Sequence, residues 1–114
     1  MPQEPLIIED VPGSNGQRIL RLQGPITISN LFEFQSLVRA NSNPKLILDF
    51  TDVPYIDSAG IGALVGAHVS HSRENRSLGL VGVSQRVVNA LKVTRVDTFF
   101  KLYNTVADAE KAAA

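Results

Sequence analysis

Ser58 follows Asp57 and precedes Gly60 by two positions, in the run DVPYIDSAGIGALVG over residues 52–66. A serine beside an acid, with glycines at 60, 62 and 66, supplies parts of several reactive centres, and each centre demands further parts. A serine hydrolase needs a glycine two residues before its nucleophile as well as two after, followed in chain order by an acid and a histidine. Ile56 occupies the earlier position, and the two histidines, His68 and His71, fall on the helix that Ser58 itself would open. A dinucleotide site needs G-x-G-x-x-G directly after a strand and an acid ending the next strand. Here the spacing is G-x-G-x-x-x-G and LGLVGVSQ over 78–85 carries no acid. A phosphate-binding P-loop is excluded because no Gly-Lys-Ser/Thr follows.

The remaining reactive side chains form no complete set. His68 and His71 stand at i, i+3 and could share a metal, but only Glu74 lies nearby as a further ligand, so both read as surface or boundary residues. Asp49 and Asp52 read as solvated carboxylates capping local amides, with a paired-acid site as the alternative. Gly62 and Gly66 share a helix face and are expected to let that helix approach a sheet closely. Asp57 or Ser58 would accept hydrogen bonds from the first free amides of the helix. A hydroxyl exposed at such a position is also open to phosphorylation, since the helix start tolerates a dianion.

These residues require a strand, a loop and a helix in that order, and the chain supplies them. KLILDF (45–50) is apolar at consecutive positions, as in a strand buried on both faces, and LGLVGV (78–83) reads the same way. Between them, residues from about 58 to 74 are long enough for a crossover helix, giving a βαβ unit. Upstream, LIIEDV (6–11) and QRILRLQ (17–23) flank Asn15-Gly16 as a hairpin, with the second strand toward a sheet edge. Asn30 and Glu33 suggest a capping box for a helix over about 30–41, with Leu31, Phe34, Leu37 and Val38 as its apolar stripe. Downstream come a short helix capped by Ser84 and carrying Val87, Val88 and Leu91, a strand in TFFKLY (98–103), and a last helix opened by Thr105 and Asp108. The order ββαβαβαβα implies an α/β fold with a mixed, mainly parallel sheet covered by helices, in a single domain over residues 1–114.

The whole chain sets outer bounds. Its 114 residues suit one core, and 11 basic against 11 acidic residues give no field that would gather nucleic acid or an anionic membrane surface. The absence of cysteine removes disulfide and thiolate-metal chemistry and fits a reducing compartment. The longest apolar stretch, Ala59 to Val69, is too short to span a bilayer, and MPQEPL has no signal-peptide character. A cytoplasmic location is the expectation.

KLILDFTDVPYIDSAGIGALVGAHV (45–69) resembles the central signature of STAS-domain anti-sigma factor antagonists, and the likeness extends from ILRLQG through LGLVGVSQRVVNAL to LYNTVADA. The resemblance implies a STAS-like fold and a regulator with no catalytic residues, cofactor or metal. It implies that Ser58 is the phosphoacceptor of an ATP-dependent serine kinase that is also the anti-sigma factor. The unphosphorylated chain would bind that kinase and release a sigma factor; phosphorylation would end binding, and a serine phosphatase would restore it. Asp57 would then anchor the helix start, Gly60 and Gly62 would give backbone access near the hydroxyl, and Tyr55, Ala59 and Thr27 would belong to the docking surface. Ala59 stands where many relatives carry a second hydroxyl, Thr27 where an aspartate is common, and KVTRVD lacks a frequent glycine. A STAS scaffold or sensor that binds a small molecule or protein without phosphorylation is the alternative.

Overall fold

A computed structural model describes residues 5–112. The elements follow the expected order: β1 (Ile7–Pro12), β2 (Arg18–Gln23), α1 (Leu31–Ala40), β3 (Lys45–Asp52), α2 (Ser58–Arg73), β4 (Ser77–Val81), α3 (Gln85–Val93), β5 (Lys101–Tyr103) and α4 (Val106–Lys111). The five strands lie in sequence order, with β1 antiparallel to β2 and the other neighbours parallel. The first turn works as its residues predict, since Asn15 and Gly16 both take positive φ.

Period-two alternation divides the sheet into two unequal faces. Leu20, Leu22, Leu46, Leu48, Phe50, Leu78 and Leu80 point to one side, where Phe34 and Val38 of α1, Ile61 and Leu64 of α2, and Val87 and Leu91 of α3 complete the main core. Ile19, Ile47 and Val81 point to the other side and meet Ala109 of α4. The consecutive apolar residues of β3 are thus explained by helices on both faces.

Several local expectations change. β2 is one strand in from the edge, and β1 is the edge itself. Asn30 does not cap α1: its Oδ1 accepts from the Thr27 amide at 3.0 Å and its Nδ2 donates to the Pro25 carbonyl at 2.8 Å, which closes the preceding turn instead. β4 stops at Val81, because Gly82 turns the chain with φ +65°. In the stretch 98–103 only Lys101–Tyr103 is strand; Asp97–Phe99 forms a single 3-10 turn that delivers Phe100 into the core.

Candidate functional site

α1 and α2 both follow parallel strands, so both begin at the same end of the sheet, and the loops before them lie side by side there. Gly24 turns the chain out of β2 with φ +107°, where a Cβ would stand 2.3 Å from the Pro5 carbonyl oxygen, so only glycine fits. The chain then forms an isolated parallel bridge between Ile26 and Ile56. The Ile26 amide donates to the Tyr55 carbonyl at 3.3 Å, and the Asp57 amide donates to the Ile26 carbonyl at 3.1 Å. Ile26 and Ile56 are both buried, so the two loops are fixed by packing as well as by hydrogen bonds.

Asp57 is the hub of this arrangement. Its Oδ1 accepts from the Gly60 amide at 2.8 Å, capping α2 at its third residue, and its Oδ2 accepts from the Ile28 amide at 3.0 Å. One carboxylate therefore satisfies a helix amide and ties the loop before α1 to the start of α2. Ser58 is the first residue of the helix and is exposed, and its hydroxyl makes no hydrogen bond among the described residues. With Asp57 already acting as the cap, Ser58 is left to face solvent.

The glycines divide into two kinds. Gly60 is buried, and a Cβ there would lie 2.5 Å from the Ile26 carbonyl oxygen and 2.6 Å from Ile56 Cγ1, so its role is close packing of α2 against the bridged loops. Gly62 and Gly66 do not bring α2 onto the sheet as expected: both are exposed, and a Cβ on either would meet nothing within 4 Å. They instead leave open a cavity of about 340 Å³ between α1 and α2, walled by Gln35, Arg39, Ser70 and the buried His71. Gly62 stands one turn beyond Ser58, on this exposed face.

The other candidates occupy defined places. Tyr55 is half-buried, with the Arg86 guanidinium 4.9 Å from its ring centroid. Thr27 is half-buried, its hydroxyl 2.8 Å from that of Ser29, and Ala59 sits half-buried in the first turn of α2. Asp49 caps locally, accepting from the Thr51 amide at 3.0 Å and the Thr51 hydroxyl at 2.6 Å. The boundary reading of the histidines fails for His71, which is 1 % exposed, while His68 stacks on Phe99 with ring centroids 5.5 Å apart. His71 lies thirteen residues along α2 from Ser58, about 20 Å at the helix rise, so it cannot act on that hydroxyl. No group of three or more metal-ligating side chains occurs among the described residues.

The sequence reading missed Ile28 and Phe32, which are 75 % and 77 % exposed beside this site. A signal existed for Phe32: it falls outside the stripe of Leu31, Phe34, Leu37 and Val38, so a helix packed on that stripe must turn Phe32 outward.

A family model of the STAS domain matches residues 9–109. The chain belongs to the STAS-domain family. The anti-sigma-B factor antagonist of Listeria monocytogenes is 34% identical over 59 residues, covering 52% of each chain. The match thus spans about half the length of that curated relative. A Thermotoga maritima crystal structure, of a protein named as an anti-sigma factor antagonist, superposes with a TM-score of 0.82 at 25% identity over 90% of both chains. The anti-sigma factor antagonist SpoIIAA in its unphosphorylated form superposes with a TM-score of 0.75 over 90% of this chain and 92% of that one; at 14% identity it speaks for the fold alone. The STAS fold accounts for the mixed five-stranded sheet and four helices. No helix among the described residues is long and apolar enough to cross a membrane.

Proposed function

We propose that this STAS domain is an anti-sigma factor antagonist switched by phosphorylation at Ser58. The observation that carries the reading is the division of labour at the start of α2, where Asp57 caps the helix and Ser58 is exposed with its hydroxyl unengaged among the described residues. A residue needed for the cap would have to leave it before another enzyme could use it; Ser58 does not. The unphosphorylated chain binds a serine-kinase anti-sigma factor and frees a sigma factor, and a serine phosphatase resets the modified form.

In the transfer step Ser58 Oγ forms a bond to the γ-phosphorus of ATP, the bond to ADP breaks, and the hydroxyl proton passes to a base of the kinase. The product carries about −1.5 to −2 charge beside the half-buried Asp57. Against a partner carboxylate at about 4 Å, each like-charge pair costs on the order of 4 kcal/mol at an effective dielectric near 20. A hundredfold loss of affinity needs only about 2.8 kcal/mol. Charge at one atom is therefore sufficient to end the complex without refolding the antagonist.

Incubating wild type and Ser58→Ala with ATP and the serine-kinase anti-sigma factor of the same organism tests both halves. Wild type gains one phosphoryl group by mass and then loses kinase binding, while Ser58→Ala gains none and stays bound. Equal phosphate on both chains rejects Ser58 as the acceptor, and undiminished binding of the phosphorylated chain rejects the switch.

A further inference from the structure

Apolar side chains scattered singly over a surface need no explanation, but two that stand together beside a functional group do. Ile28 stands in the turn before α1 and Phe32 is the second residue of that helix, and both are among the most exposed apolar side chains of the described residues. They cannot retreat inward, because Ile26 and Phe34 already fill the inward positions at 0 % and 1 % exposure. The place of Ile28 is set by Asp57, the residue before Ser58, whose carboxylate accepts from the Ile28 amide at 3.0 Å.

We infer that Ile28 and Phe32 are the apolar anchors by which the kinase that phosphorylates Ser58 grips this chain. The inference rests on the function proposed above and specifies the docking surface of that same site. Continuity identifies the occupant. A protein interface of ordinary size covers about 800 Å² on each side, a disc of roughly 16 Å radius. Phosphoryl transfer requires the kinase to bring its nucleotide to about 3–3.5 Å from Ser58 Oγ. A disc seated there takes in Ile28, tied to the neighbouring carboxylate, and extends toward Phe32, four positions on and the second residue of α1. Glu33, next to Phe32 in the chain, is exposed, so the pocket that receives these anchors is apolar within and polar at its rim.

Four variants test this against the kinase that phosphorylates the wild-type chain: Ile28→Ser with Phe32→Ser, each of the two alone, and Val93→Ser on α3 as a control with 82 % exposure. The double variant is expected to lose on the order of 30-fold in kcat/KM for Ser58 phosphorylation, carried by KM with kcat nearly unchanged. In a Ser58→Ala background the same pair raises Kd by a similar factor, and thermal unfolding stays at the wild-type temperature because both side chains are exposed. Val93→Ser leaves all values within about twofold, the usual effect of a peripheral change. Wild-type efficiency in the double variant, or an equal loss from Val93→Ser, overturns the anchors while leaving the Ser58 switch standing. Absence of phosphate on wild type overturns the switch, and the anchors with it.

Discussion

Gly60 and Gly62 are separated by one residue and by opposite physical circumstances. An alanine at 60 drives its Cβ into the Ile26 carbonyl and Ile56, neither of which can yield without opening the bridge between the two loops. Gly60→Ala is expected to destabilise the fold by about 2–3 kcal/mol, the usual scale of overpacking. Gly62→Ala enters open space and removes a poor helix former, so it should stabilise by up to about 1 kcal/mol. Urea unfolding of the two variants reads the contrast directly, and changes of the same sign would contradict it. The letters alone do not separate these glycines, because what decides between them is a carbonyl 34 positions earlier in the chain. A cap at the start of α2 was legible for the opposite reason: the Gly60 amide that Asp57 Oδ1 accepts from is local, whereas the bond from the Ile28 amide to its Oδ2, 29 positions away, was not.

At the scale of elements, α4 depends on one cation. Lys45 is 5 % exposed; its Nζ donates to the Ala109 carbonyl and, at 2.9 Å, to the Ala112 carbonyl, and lies 5.9 Å from the Tyr103 ring centroid. Burial, helped by Lys101, lowers its pKa. Glu110 fastens the other side, accepting from the Ser14 amide and hydroxyl at 2.7 and 2.6 Å, and these bonds hold its carboxyl below the usual range. Lys45→Met keeps the bulk but strands carbonyls at the end of a six-residue helix. A loss of about 1–3 kcal/mol is expected. Amide exchange should accelerate in 106–111 and stay unchanged in α2; uniform acceleration would count against a local clasp. The elements themselves were readable wherever burial is two-sided or a cap is local, as in β3 and at Ser84 and Thr105, whose side chains accept from the Val87 and Asp108 amides. Thr98-Phe99-Phe100 looked like strand because its residues favour strands, but Phe100 is needed in the core and the chain turns at Asp97 to deliver it.

Among the described residues, His71 is a buried imidazole that sets the stability of the whole molecule against acid. His71 Nδ1 donates to the Ala67 carbonyl at 2.9 Å, which leaves Nε2 as an acceptor, buried and without a partner among the described residues. Burial lowers its pKa below the ordinary 6.5; nearby Arg76 and His68 act in the same direction, while Glu74 and the Ala67 carbonyl oppose them. Above pH 6.5 both folded and unfolded chains hold this ring neutral, and its share of stability is complete. As pH falls through 6.5 the unfolded chain takes up the proton first, so stability declines toward the lower folded pKa. Urea midpoints for wild type should therefore drop between pH 7.5 and 5.5, and His71→Met, which fills the site without a titratable atom, should flatten that drop. An unchanged slope in the variant would assign the acid sensitivity to other groups.

β1 has a consequence for how this domain meets other chains. It forms one border of the sheet, where unpaired backbone groups invite another strand to join. Glu9 and Asp10, ion-paired to Arg21 at 3.3 Å and Arg18 at 2.5 Å, place charge along that border, and Pro12 offers no N–H. The opposite border, β5, is only three residues long. Both borders are thus poor templates for strand addition and fibril growth. A molecule guarded in this way can stay dispersed at high concentration, and the switch proposed at Ser58 would then act at the helix starts and not at a sheet border.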